Sequence, residues 1–194
     1  MPLSEAEQAL LLRLALASLR EGLSRGRPLR VDAADYPEVL RTDAASFVTL
    51  NYQGQLRGCI GHLQAIQPLV KDVVDNAYAA GFQDPRFPPL SPAELANLEI
   101  HISVLSPAEP LRFDSEAHLL SQLRPGVDGL ILEDGGHRGT FLPAVWQQLP
   151  RPELFWRHLK LKAGLPSEHW SAQLRVWRYT SFAFGAAVAE LSGA

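Results

Sequence analysis

The chain contains one cysteine, Cys59, inside the run Leu56-Arg57-Gly58-Cys59-Ile60-Gly61-His62. A thiol reacts as its thiolate, and a guanidinium close by favours that form. Gln53-Gly54 separates two runs of β-forming residues and reads as a two-residue hairpin turn. That turn pairs Tyr52 with Gln55, Leu50 with Arg57 and Val48 with Cys59. Alternation of side chains then places Val48, Leu50, Arg57 and Cys59 on one face, and Phe47, Leu56 and Ile60 on the other. Gly58 and Gly61 interrupt a strand, where glycine marks a bulge or a close approach of backbone or ligand; here they leave access to the thiol. The competing reading makes Cys59 a small buried hydrophobe, the ordinary fate of a free cysteine.

A nucleophilic cysteine needs a base within hydrogen-bond reach. His62 lies three residues from Cys59 and points to the opposite face of a continuing strand. His137 is the better partner for Cys59, because a second hairpin brings it near and Asp134 orients its ring; His101 is a poorer third. Arg57, Arg86 and Arg138, with Gly58 and Gly61 giving room, form an anion site for carboxylate or phosphate if the hairpins and a loop converge. Arg57, Cys59, Arg86 and His137 are thus expected in one concavity. One thiol with His62 and His137 falls short of the usual closed metal sets, so no metal and no cofactor is expected. There is no C-x-x-C and no G-x-S-x-G. The residues therefore support two functions: a component with a small-molecule, anion or partner site around Cys59, or a cysteine-dependent enzyme with Cys59 as nucleophile.

These side chains need a scaffold, and 194 residues with 46% hydrophobic content suffice for one domain, with or without a small lobe. A net charge of −3 lacks the basic excess of a nucleic-acid surface. A single cysteine excludes an internal disulfide framework. No apolar run reaches the ~18 residues of a membrane span and the N-terminus does not read as a signal peptide; a soluble cytoplasmic protein is expected.

Ser4 and Glu7 have capping-box spacing and open a helix to about Leu23. Residues 24–45 are irregular, with a short turn at Pro37–Leu40. Strands over 46–52 and 55–61 precede a helix from Pro68 to near Gly81, and three prolines stiffen the loop Asp84–Leu90. Ser91 and Glu94 repeat the capping box. Leu98–Leu105 alternates as a strand, with Glu99, His101 and Ser103 on its outer face. A helix capped by Asp114 or Ser115 runs to about Leu123. Residues 127–134 and 137–142 form a second hairpin about Gly135-Gly136, with Glu133 opposite Arg138 and Asp134 opposite His137. A short helix starts at Pro143 and a longer one runs from Pro152 to about Ala163. Gln173–Phe184 reads as one late strand, and the tail 185–194 as frayed. About five strands, five or six helices and no βαβ alternation make this α+β, with a largely antiparallel sheet flanked by helices.

Leu56-Arg57-Gly58-Cys59-Ile60-Gly61 resembles the signature of the AMMECR-type domain, the AmmeMemoRadiSam system protein A of bacteria and archaea. Asp84-Pro85-Arg86-Phe87-Pro88-Pro89-Leu90 is similar to that family's D-x-R-F-x-P-L segment, Ser103-Val104-Leu105 to its S-V-L strand, and Arg138-Gly139-Thr140-Phe141-Leu142-Pro143 to its R-x-T-F-L-P segment. The segments occur in the family's order across about residues 10–182. The resemblance implies a compact α+β domain of unresolved biochemical function that works beside a Memo-like protein and a radical SAM protein. It gives His62 no support.

Overall fold

The computed structural model of the protein describes residues 3–191. Helix α1 (Glu5–Arg25) starts at the reciprocal Ser4–Glu7 capping box and closes at Gly26, as the sequence predicts. A 3-10 turn (Ala33–Asp35) and the one-turn helix α2 (Glu38–Arg41) follow. The hairpin of β1 (Ser46–Tyr52) and β2 (Gln55–Gly61) leads to α3 (Leu69–Phe82), α4 (Pro92–Leu95) and β3 (Leu98–Leu105). Next come β4 (Glu109–Pro110), α5 (Glu116–Ser121), β5 (Gly129–Asp134) and β6 (His137–Phe141). A 3-10 turn (Pro143–Gln147), α6 (Pro152–Lys162), β7 (Arg175–Tyr179), β8 (Ser181–Ala187) and α7 (Val188–Leu191) complete the described chain. The fold is α+β, with two four-stranded sheets.

The chain forms two compact units, Met1–Leu105 with Phe182–Ala194, and Ser106–Ser181. In the first, the sheet order is β2-β1-β3-β8, and α3 packs on β1 and β2 while α1 packs on α3 and β3. Alternate strand residues Val48, Leu50, Ile100 and Ile102 meet Leu16 and Leu19 of α1 and Val73 and Ala77 of α3 in one buried core. Each such aliphatic side chain contributes roughly 1.5–3 kcal/mol by leaving water. The odd-numbered residues of β1 and β3 consequently form the other face of the sheet.

The second unit has sheet order β4-β7-β5-β6. Its own core gathers Leu130, Leu132, Trp146, Phe155, Trp156 and Val176, with Trp146 and Phe155 stacked 3.8 Å apart between ring centroids. Its hairpin has the predicted register, Glu133 opposite Arg138 and Asp134 opposite His137.

Three expectations are corrected. The first hairpin keeps Tyr52 opposite Gln55, but a bulge between Leu50 and Asn51 puts Leu50 opposite Gly58, Val48 opposite Ile60 and Thr49 opposite Cys59. The late strand is two strands in different sheets, and with the two-residue β4 the described residues form eight strands where about five were expected. They divide at Thr180, whose carbonyl accepts from the Ser106 amide and whose own amide donates to Ser106 Oγ at 2.9 Å. A continuous aromatic pattern gives no sign of that exchange. The tail is built into the fold as far as residue 191: β8 and α7 hold it, and Val188 is buried in the core. Residues 192–194 lie outside the described part.

Candidate functional site

The bulge decides what Cys59 faces. Arg57 is the extra residue on β2, so from Gly58 onward every side chain changes face relative to an unbulged hairpin. Gly58 turns toward α3, where a Cβ would stand 2.1 Å from the Ala80 carbonyl oxygen. Cys59 turns away from the helices, beside Thr49. The room expected beside the thiol is therefore filled by the protein: Gly58 admits the backbone of α3, and a Cβ on Gly61 would lie 2.3 Å from the Phe47 ring. Arg57 and Cys59 do not share a face as neighbouring members of one strand register.

β2 is an edge strand, and at Cys59 its backbone points outward. There Asp84 and Arg86 take the place of a neighbouring strand. The Cys59 amide donates to Asp84 Oδ2 at 2.9 Å, and Arg86 Nη2 donates to the Cys59 carbonyl at 3.3 Å. Arg86 also holds Asp84 through Nε at 2.9 Å and Nη2 at 2.7 Å. An ion pair two residues long thus caps an edge that would otherwise present unpaired polar groups. The Arg86 hydrogen bonds, with those from two backbone amides, hold the Asp84 carboxyl well below the usual carboxylate range.

Arg57 is buried and committed in the same direction. Its Nε donates to Glu94 Oε1 at 2.6 Å, and its Nη2 to the Pro88 carbonyl at 2.9 Å and to Glu94 Oε2 at 3.3 Å. Glu94 closes its capping box on Ser91 with Oε2, so the helix cap of α4 is also the counter-ion of β2. The Arg57 hydrogen bonds lower the Glu94 pKa to about 2. Phe87 lies under both guanidinium groups, 5.8 Å from Arg57 and 5.5 Å from Arg86. Arg57 and Arg86 therefore each already hold an anion that the chain itself supplies.

The other face of the sheet carries a row of residues across its strands. Cys59 pairs with Thr49, Thr49 pairs with His101, and a Cβ on Gly185 of β8 would stand 2.3 Å from His101 Nδ1. Strands lie about 4.8 Å apart, so the Cα atoms of Cys59 and His101 are about 10 Å apart. Because the Cys59 amide bonds Asp84 and not β1, the Thr49–Cys59 pair is of the closer, non-hydrogen-bonded kind. Thr49 Oγ1 donates to Cys59 Sγ at 3.2 Å. Cys59, Thr49 and His101 are all half-buried.

His62 lies at the end of β2, where its Nδ1 meets Asp72 Oδ1 of α3 at 2.6 Å. Asp72 is fully buried and also accepts from the Ser46 amide, the Ser46 hydroxyl and Asn76. This network pins the end of the hairpin to α3.

With this geometry known, relatives add a family. The AMMECR1 family profile matches residues 12–184. The chain belongs to the AMMECR1 family. A Methanothermobacter thermautotrophicus protein is 39% identical over 189 residues, which is 94% of this chain and 96% of the relative. A Thermotoga maritima protein is 39% identical over 157 residues, 80% of this chain and 85% of the relative. The crystal structure of an uncharacterized protein from Pyrococcus horikoshii superimposes with a TM-score of 0.83 at 34% identity, over 91% of this chain and 90% of that one.

In this AMMECR1 chain the remaining candidates, His137 and Arg138, lie in the second unit and have partners there. His137 Nδ1 donates to the Ala163 carbonyl at 3.1 Å, at the end of α6, and Arg138 Nε lies 3.3 Å from Glu133. Asp134 does not orient His137; it accepts from Ser171 Oγ at 2.7 Å and from His169 Nε2 at 2.6 Å, and those bonds, the Ser171 one first, lower its pKa. Sequence reasoning missed Thr49 and ranked His101 low, because both depend on the bulge and on which strand lies beside β1. It also missed Asp84 and Glu94 as the counter-ions of Arg86 and Arg57. The i, i+2 spacing of Asp84 and Arg86 was the available signal.

Proposed function

We propose that this AMMECR1 chain is a binding component, whose site is the sheet face formed by Cys59, Thr49 and His101. One observation carries the reading: the half-buried thiol of Cys59 takes its side-chain hydrogen bond from the Thr49 hydroxyl, a neutral donor and not a base. Such a thiol is a recognition group, with His101 offering a second polar contact about two strands away. Arg57 and Arg86 support the site by fixing the backbone on either side of Cys59, and the motif's arginine acts through Glu94. The ligand is a small molecule or a protein surface, and the family resemblance points to Memo-like and radical SAM proteins as the setting.

The test is binding of the chain to purified Memo-like and radical SAM proteins, read by calorimetry before and after Cys59 is capped with a small alkylating reagent. Capping should weaken binding at least tenfold, and His101→Ala should weaken it without changing the fold. Undiminished binding by both altered proteins would remove this face from the function. The second reading, Cys59 as nucleophile, is favoured by His101 lying on the same face. It requires alkylation of the native protein well below the ordinary thiol pKa of ~8.5, and a profile that shifts in His101→Ala.

A further inference from the structure

The second unit contains a cavity of about 400 Å³ lined by Ser106, Glu109, Arg124, Arg178, Tyr179 and Thr180. No residue of the proposed binding face contributes to it. Its charges are arranged unusually. Arg178 of β7 stands opposite Glu109 of β4 in the strand register, yet its Nε lies 3.6 Å from Glu109 Oε2, too far for a hydrogen bond. That Nε is nevertheless buried and has no hydrogen-bond partner. A buried donor without a partner calls for an explanation, and an acceptor supplied from outside the chain is one.

Arg124 supplies the second cation. Its Nε and Nη2 are fixed by Asp128 Oδ1 at 2.9 and 2.6 Å, which sets the plane of the guanidinium. Its side chain is half exposed. The Arg124 guanidinium is held protonated by Asp128 first and, more weakly, by the charge of Glu109. Glu109 thus acts on both arginines, while its own side chain is 72% exposed. Two guanidinium groups thus line this cavity.

We propose that this cavity binds a small oxyanion, carboxylate or phosphate, between Arg124 and Arg178, and that the Glu109 carboxylate holds the position until the ligand displaces it. A ligand oxyanion that reaches Arg178 Nε gains the charge-assisted hydrogen bond that Glu109 leaves unmade. Thr180 contributes to the wall of the same cavity.

The experiment titrates inorganic phosphate and, separately, succinate into the full chain at constant ionic strength, so that general screening is the same throughout. Binding is read from the NMR signals of the arginine Nε–H groups. Glu109→Gln, an exposed change that keeps the fold, should bind the preferred anion at least about tenfold more tightly than the unmodified chain, since each tenfold is one ordinary hydrogen-bond contribution. Arg178→Lys keeps a charge but loses the planar fork, and should lose that gain when combined with Glu109→Gln. Whichever anion saturates identifies the ligand class. The proposal is overturned if neither anion saturates in Glu109→Gln, if Glu109→Gln and the unmodified chain bind equally, or if Arg178→Lys leaves the affinity unchanged.

Discussion

A buried guanidinium is tolerable only when its charge is answered, and Arg57 depends on Glu94 for that. Replacing Glu94 by Gln leaves the cation buried without a counter-ion, and about 3 kcal/mol of unfolding free energy should be lost at pH 7 in urea titration. The same pair sets an acid limit. Glu94 has a folded-state pKa of about 2, below its ordinary 4.5, and Asp84 is likewise depressed below 3.8. A depressed carboxyl contributes stability that is fully present above the ordinary pKa and is lost as pH falls through the folded one. Urea midpoints should therefore be flat from pH 7 to 5 and fall between about pH 4.5 and 2, less steeply in Glu94→Gln. An equal slope in both proteins would contradict the assignment. Cys59 makes a milder case. Serine in its place can still accept from the Thr49 hydroxyl, so Cys59→Ser should cost less than about 1 kcal/mol, whereas a sealed core position would lose more.

At the scale of elements, the first hairpin is held from two sides. Asp84 and Arg86 cap its outer edge, and α3 touches it at Gly58. Asp84→Ala removes the acceptor for the Cys59 amide and releases Arg86, so exchange of that amide should accelerate while amides of β1 and β3 keep their protection. Uniform acceleration across the sheet would mean that the edge clamp is not a local device. Gly58→Ala drives a Cβ against the Ala80 carbonyl at 2.1 Å. Neither partner is a flexible side-chain end, so hairpin and helix must separate, at a cost of at least about 2 kcal/mol. A neutral alanine there would show that α3 shifts freely.

At the scale of the molecule, the second unit is one unbroken stretch of chain with its own aromatic core. A fragment of residues 106–181 should unfold cooperatively and keep the near-ultraviolet dichroism of the stacked Trp146–Phe155 pair, because its buried contacts are made within the stretch. A featureless spectrum would show that this core needs the rest of the chain. The first unit is made of two separated segments, and β8 and α7 arrive only after the second unit has been traversed. Truncation before Ser181 should therefore open the edge of β3 and expose the core surface that Val188 covers.

Local signals determined much of this protein. Capping boxes at Ser4 and Ser91 fixed where helices begin, Gln53-Gly54 and Gly135-Gly136 fixed where hairpins turn, and period-two alternation in Leu98–Leu105 fixed which face is core. Each depends on residues within about four positions, so the chain carries it without reference to anything distant. The tertiary structure alone decided the rest. One extra residue at Arg57 reverses the face of Cys59, and sequence offers only Gly58 as a hint, since a bulge is a relation between two strands. The same holds for the arginines: Arg57 and Arg86 read as takers of an anion, but Asp84 and Glu94 became that anion only when the loop folded back over β2. Thr49 and His101 joined Cys59 for the same reason, because a row across a sheet is set by strand order and register, which no single segment encodes.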